Sequence, residues 1–325
     1  MYEENESLLV TQAHNGVPIL VPWGHQALIP GTGFKSENIM GHPWMDQSAF
    51  TPFDPQAPYI KYESQGDRRA YFRSAESDSH GVSTQHYSGS LGATVDLTFA
   101  KVNVTGSYDK DIKENKDSTK VSRNAFYRAG ALHFAQEPEL NAIAYNILSR
   151  ADGEREFRAI YGDYFIAGFI LGADSGAFMS VDDATKRMTD TVALKTTVKV
   201  CFFKAKTWIT SSTTTHIDHS LVVNLAGYDT LNDLKISNLN TSLGDAQQRI
   251  IDMVEWADTL ETRVTVKLKD KGIEPGRKFT LSESAHICAS GVVVQVLLLP
   301  FHTLRGYQYG LSLSAKNRLA LEMGM

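Results

Sequence analysis

Residues 161–176 read Tyr-Gly-Asp-Tyr-Phe-Ile-Ala-Gly-Phe-Ile-Leu-Gly-Ala-Asp-Ser-Gly, and the fold class turns on this stretch. Phe165, Ile166, Ala167, Phe169, Ile170 and Leu171 form a nearly continuous apolar run, as in a strand buried on both faces. Gly162, Gly168 and Gly172 punctuate it. Glycine inside a strand gives up packing, so this spacing points to close backbone approach or to bending. A phosphate-binding loop is the competing reading, but the core side chains between the glycines leave no exposed cradle. Asp163 and Asp174 read as turn or strand-end carboxylates.

Upstream, residues 137–160 repeat apolar side chains at helical spacing (Leu140, Ile143, Ala144, Ile147, Leu148), with Pro138 expected in the first turn and Gly153 as a break. Residues 121–134 read as a strand that closes a long hairpin with 91–104, where Leu91, Ala93, Val95, Leu97 and Phe99 alternate with polar partners and the parity then passes to Val102 and Val104. Between them, 109–120 reads as a charged loop. Downstream, Val192, Leu194, Thr196, Val198, Val200 and Phe202 share one face of an amphipathic strand. A helix is expected over 245–262, and strands over 263–268 and 292–299. The composite is an α+β fold with long hairpins and flanking helices.

The 325 residues carry 32 Lys+Arg and 37 Asp+Glu, a formal net charge of −5. That balance lacks the basic stripe nucleic-acid binding needs. Seven of the ten prolines lie between Pro18 and Pro58, interleaved with Trp23, Trp44, Phe50, Phe53 and Tyr59. This composition predicts an extended Pro/aromatic arm over residues 1–80 packed on the main domain. Cys201 and Cys288 are too few for a disulfide framework and read as buried thiols. No apolar run reaches the roughly 18 residues of a membrane-spanning helix. The acidic opening MYEENESLLV shows no targeting segment, which fits a soluble chain, cytoplasmic or unconventionally secreted.

Catalytic chemistry is thinly represented. His216 and His219 fall on opposite faces of a strand and read as a surface loop, so no metal site is assigned. Nucleophile elbows, P-loops and dinucleotide fingerprints are all missing from the sequence. The chain is therefore read as a non-enzyme without a cofactor.

Tyr161-Gly162-Asp163-Tyr164-Phe165, followed by the apolar strand and Leu171-Gly172, resembles the signature of the membrane-attack-complex/perforin (MACPF) superfamily, most closely its divergent fungal members. Gly106 to Lys110 with Asp117-Ser118, Lys199 to Phe203, and Leu225 to Leu231 resemble further family motifs in the same order. Asp163 and Tyr164 stand where the family carries Thr-His, and Ala173 where it carries a second glycine. The resemblance implies a bent, twisted antiparallel sheet of four long strands with flanking helices, over residues 81–310, followed by a tail at 311–325. It further implies a soluble monomer that binds a membrane lipid or receptor. Such a monomer self-associates into a ring and unfurls two helical clusters into a β-barrel, possibly with a separate membrane-binding subunit.

The residues bear on that implication directly. Over 107–124 neither parity offers a lipid face, and an Arg or Lys at the bilayer midplane of a barrel strand costs about 2–4 kcal/mol. A solvated loop is expected there. In the second candidate cluster, 174–203, the face from Val192 to Phe202 suits either a core or lipid. A pore-former, a non-perforating binder of a membrane, glycan or protein, and an unrelated α+β domain all remain open at this point. The negative charge favours a specific lipid or receptor over electrostatic adsorption to anionic membranes.

Overall fold

The computed structural model describes residues 12, 15–39, 41–65, 70–77, 81, 83–88, 103–117, 119–181, 202 and 221–322. Among them ten strands form one sheet: β1 (Ile19–Pro22), β2 (Gly33–Phe34), β3 (Ile60–Ser64), β4 (Tyr71–Ser77), β5 (Thr119–Phe134), β6 (Tyr164–Val181), β7 (Val222–Asp229), β8 (Leu234–Ser242), β9 (Lys278–Phe279) and β10 (Val293–Pro300). Seven α-helices flank it: α1 (Asn103–Glu114), α2 (Ala142–Leu148), α3 (Gly153–Tyr161), α4 (Leu243–Asp258), α5 (Leu260–Asp270), α6 (Leu281–Cys288) and α7 (Arg305–Glu322). The fold is α+β, and every strand pairing is antiparallel.

The spine is the pairing of β5, 16 residues, with β6, 18 residues, from Thr119↔Val181 to His133↔Gly168. Each long strand serves two partners along its outer edge. β5 takes β4 over residues 120–126 and β3 over 130–134. β6 takes β10 and then β7, the change falling between Leu171 and Ser175. At the same level the β5–β6 register skips Ala129, between Arg128↔Gly172 and Gly130↔Leu171. A one-residue bulge bends its strand and raises the local twist, so the sheet divides there into two sectors.

A second bulge lies at Ala167, skipped between Leu297↔Gly168 and Leu298↔Ile166. It flips the side-chain parity of β6, as a one-residue slip must. Tyr164 and Ile166 therefore join the same core as Phe169, Leu171 and Ala173. Phe165 and Ala167 instead face a second core with Phe157 of α3, Ala144 and Ile147 of α2, and Tyr307 of α7.

Gly168 and Gly172 are fixed by close approach. A Cβ at Gly168 would overlap the carbonyl oxygen of Leu132, and one at Gly172 that of Tyr127, both backbone atoms of β5. The sequence expectation allowed approach or bending; here approach and bend coincide.

Local signals place the helices. Asn141 caps α2 by accepting from Ala144 N at 2.8 Å, and Ser242 caps α4 by accepting from Asp245 N at 3.1 Å. Thr280 and Glu283 form a capping box on α6.

Several expectations need correction. Residues 263–268 are not a strand but part of α5: Leu260, Val264 and Leu268 are buried at four-residue spacing, while Val266 is 54% exposed. Period two would have buried Val266 too. Residues 109–114 are not a loop, and Asn103 and Val104 are not strand, because both belong to α1. Pro138 precedes the first helical turn, which begins at Ala142. β5 pairs with β6, β3 and β4; its expected partner at 91–99 lies outside the described residues. Residues 311–322 continue α7. The Pro/aromatic region contributes β1 to β4 to the sheet, with Trp23 edge-on to Trp44 at 5.7 Å and Phe50 edge-on to Phe165 at 5.2 Å. Cys288 is a buried free thiol whose pKa burial pushes up to about 12; Cys201 lies outside the described residues.

Gly172→Ala is expected to destabilise the isolated chain by about 1–3 kcal/mol or more through overpacking against backbone. Gly41, whose added Cβ would meet only Asn38 O at 3.8 Å, is the control: Gly41→Ala should leave the denaturant midpoint within experimental error. Equal midpoints for the two variants would refute the close-approach role of Gly172.

Candidate functional site

The family-signature residues sit where β6 begins. Tyr161 ends α3, buried against Phe157 at 4.9 Å between ring centroids. Gly162 closes the helix at φ +85°, a conformation side chains resist, and a Cβ there would overlap the Phe34 carbonyl. Asp163 donates its backbone N–H to Phe34 O and accepts from Phe301 N, each at 3.0 Å. Its carboxylate accepts from Ser36 N at 2.8 Å and from the Ser36 hydroxyl. Tyr164 donates to Val17 O at 3.1 Å, and burial pushes its pKa up to about 12. These four residues staple the N-terminal region, α3 and the end of β10 onto the spine. They form a structural joint between these elements.

The amphipathic stretch 192–202 falls outside the described residues except for Phe202. That side chain is fully buried in a core with Val121, Ala177, Met179 and Ile250. Residues 174–181, the start of the second candidate cluster, are strand: they complete β6 and pair with both β5 and β7. His216 and His219 also lie outside the described residues. Among those described, no three His, Cys, Asp or Glu side chains converge as a metal site.

The chemically distinctive region is the upper sector, where α1 covers one face of the sheet. Three cross-strand rows point toward α1: Lys120–Ser180–Asn224, Ser122–Phe178–Ala226 and Asn124–Gly176–Tyr228. Lys120, Ser122, Asn124 and Ser180 are each fully buried there. Of the rows of opposite parity, Val121–Met179–Leu225 is apolar and packs with α4, while Arg123–Ala177–Gly227 and Ala125–Ser175–Asp229 carry charged side chains. The α4 face thus carries the larger apolar cluster, and the α1 face mixes buried polar side chains with a smaller one of Phe178, Ala226 and Tyr228.

Helix α1 meets the hydrophilic face with Thr105, Tyr108, Asp109, Ile112 and Asn115, buried at three- and four-residue spacing. The Tyr108 ring lies tilted against Tyr228 at 4.6 Å, and its one hydroxyl proton is shared between Asn124 Oδ1 at 3.2 Å and His86 O at 3.3 Å. The Asp109 carboxylate accepts from Ser88 N and Ser88 Oγ, each at 2.7 Å. Just past the helix, Asp117 accepts from Ser180 Oγ at 2.5 Å and Asn224 Nδ2 at 2.7 Å. His86, beside this layer, is within 2.8 Å of Ser122 Oγ through Nδ1. Its Nε2, Thr105 Oγ1 and Tyr228 OH have no hydrogen-bond partner among the described residues.

Burial sets the electrostatics of this layer. It pushes Asp109 up to about 6 against the pull of the Ser88 donors and nearby Arg73. It brings His86 down to about 4, helped by the charges of Lys120 and Arg73. Tyr108 and Tyr228 are held well above the usual phenol range, again mainly by burial.

Ion pairs fix the opposite face. Arg263 of α5 forks onto the fully buried Asp229 at 2.7 and 3.2 Å, and Arg123 of β5 reaches Asp258 of α4 at 2.6 Å. Asp174, read from sequence as unremarkable, is gripped by Arg128 and bonded through its backbone to Thr230. The sequence reading missed Asp109, His86, Asp229 and Arg263. A helical-period test of 105–115 would have found the α1 stripe, since only period two was applied there.

No family model matches the chain, and no curated protein matches it by sequence. Solved structures do match in fold. Stonustoxin is 13% identical, covering 92% of this chain and 34% of its own, at a TM-score of 0.39. Intermedilysin, solved with human CD59, is 9% identical over 87% of this chain and 57% of its own, at 0.33. A Bacteroides thetaiotaomicron protein with a MAC/perforin domain is 12% identical over 81% of this chain and 66% of its own, at 0.23. All three TM-scores lie below 0.5, and no residue's role is carried over from these likenesses. The chain spans about a third of the length of stonustoxin.

Two outcomes are expected from this geometry. Asp109 adds stability to the docked α1 that is present below its ordinary value of 3.8 and lost as pH rises through about 6. His86 adds stability present above 6.5 and lost as pH falls through about 4. The two oppose each other, so acidification changes the wild-type docking little. Asp109→Asn should then loosen residues 103–117 between pH 6.5 and 4, and His86→Gln should tighten them between pH 6 and 3.8. Protease sensitivity of that segment against pH is the measurement; identical profiles for the two variants would refute the assignment. Separately, Arg263→Ala leaves the Asp229 carboxylate buried and unpaired, and should lower unfolding free energy by about 3–5 kcal/mol in urea titration. A loss under 1 kcal/mol would show that Asp229 is satisfied otherwise.

Proposed function

We propose that this chain is a non-enzymatic, perforin-like protein that binds a membrane, self-associates and lengthens β5 into a β-barrel by unwinding α1. The supporting observation is the run of α1 into β5: the helix ends at Glu114, Asp117 pins the turn, and the strand starts at Thr119. Unwound, the 12 residues of α1 would add about 40 Å of strand at about 3.3 Å per residue. A barrel strand needs roughly 9–11 residues to span. No helix among the described residues is long and apolar enough to cross a membrane, and a barrel requires none. Among the described residues β4 and β8 each pair on one side only, which suits strand pairing with a second copy. The charge of −5 favours a specific lipid or receptor, and a separate membrane-binding subunit is compatible with this reading.

One observation favours a second reading, a non-perforating binder of a membrane, glycan or protein. Asp109, Lys110, Asp111, Lys113, Glu114, Lys116 and Asp117 put charge on both parities of the segment that would insert.

Dye release from liposomes of varied lipid and sterol content separates the two, with the membranes imaged for rings. The pore reading expects leakage and ring particles on the same vesicles. Membrane-bound chain without leakage across all compositions would overturn it in favour of the binder.

A further inference from the structure

We propose that α1 and the segment 84–88 form a single lid, joined through the Asp109–Ser88 contact, and that this lid opens as one unit from the hydrophilic face while α4 stays in place. The inference deepens the pore reading, since it names the device that would free α1, but it concerns the isolated chain.

Three observations carry it. The first is the join itself. Ser88 gives both its backbone N–H and its hydroxyl to Asp109, and Tyr108 donates to His86 O at 3.3 Å. Two successive helix residues thus hold two positions of the 84–88 segment. Neither can leave the sheet alone without stranding buried polar groups of the other.

The second is the chemistry underneath. Lys120, Ser122, Asn124 and Ser180 make a surface that water can solvate as soon as it is uncovered. Lifting the lid also uncovers a small apolar cluster, Tyr108 and Ile112 against Phe178, Ala226 and Tyr228. On the other side, α4 buries Leu243, Ile250, Ile251, Met253 and Val254, and lifting it would expose them all. Each large apolar side chain resists such exposure, and the Arg123–Asp258 pair resists it further.

The third is incomplete satisfaction beneath the lid. His86 Nε2, Thr105 Oγ1 and Tyr228 OH are buried with no partner among the described residues. Groups in that state favour any opening that brings water to them.

The test is peptide-level hydrogen exchange on the full chain without membrane. Peptides covering 103–117 and 84–88 should open together, with lower protection than peptides covering 246–257. Ser88→Ala and Asp109→Ala should each speed exchange in both lid segments, by roughly ten- to a hundredfold, and leave α4 unchanged. Ser88→Ala removes only one hydroxyl and keeps the test valid if Asp109→Ala fails to fold. Faster exchange in one segment alone, or equal loosening of α4, would overturn the proposal. Vesicle leakage measured on the same variants reports on the pore reading separately: coupled opening without leakage sustains the lid and removes the pore.

Discussion

Everything in this molecule is arranged around the antiparallel contact of β5 with β6. The two strands approach so closely at Gly168 and Gly172 that no Cβ fits against the carbonyls of Leu132 and Tyr127. Beside that contact the ladder skips Ala129, and the spine bends. The bend lets each long strand carry two different partners in succession, β3 and β4 on one edge, β10 and β7 on the other. Lower and upper sectors then acquire separate jobs. The lower sector gathers α2, α3, α7 and the segment around Phe50 into a core with Phe165 and Phe301. The upper sector presents two faces of opposite chemistry.

Those two faces determine how firmly their covers are held. α4 rests on Val121, Met179, Val223 and Leu225, a hydrophobic contact reinforced by ion pairs at its C-terminal end. Burial of a large apolar side chain is worth about 1.5–3 kcal/mol, so several of them make that contact strong in water. α1 instead rests on a smaller apolar cluster, Phe178, Ala226 and Tyr228 against its Tyr108 and Ile112, set among hydroxyls, amides and a buried lysine. Hydrogen bonds exchanged against water give only about 0.5–1.5 kcal/mol each. The difference in retention follows from side-chain type alone, before any membrane is considered.

Much of this architecture was legible in the sequence. The apolar run with its glycines marked β6; the apolar run through 292–299 marked β10; the apolar stripe after Asp245 marked α4. What failed did so for identifiable reasons. Val264, Val266 and Leu268 satisfy period two locally, and only Leu260 four residues earlier shows that the stripe is helical. In α1 the charges drew the eye, although Thr105, Tyr108, Asp109, Ile112 and Asn115 lie on one helical face. Its buried Asp109 could not be found from sequence, because a carboxylate is expected outside unless its donors are known, and Ser88 is distant in the chain. The polar parity of Lys120, Ser122 and Asn124 was visible, but reads as a solvent face until a covering helix is in view.

The same helix also limits what the membrane reading can mean. At 3.6 residues per turn, the charges of α1 other than Asp109 fall away from the sheet: Lys110 pairs with Glu114 at 3.9 Å at the surface, and Lys235 reaches Asp111 at 3.7 Å. At two residues per repeat, the same charges would be shared between both faces of a strand. A segment well patterned for docking as a helix is thus poorly patterned for facing lipid. Any barrel built from it would have to hold together by strand-to-strand hydrogen bonds, with its polar face lining water. Of the rows on the side that α1 covers, Lys120–Ser180–Asn224 is polar, whereas Ser122–Phe178–Ala226 carries two apolar side chains, so only part of that surface is one that water would wet.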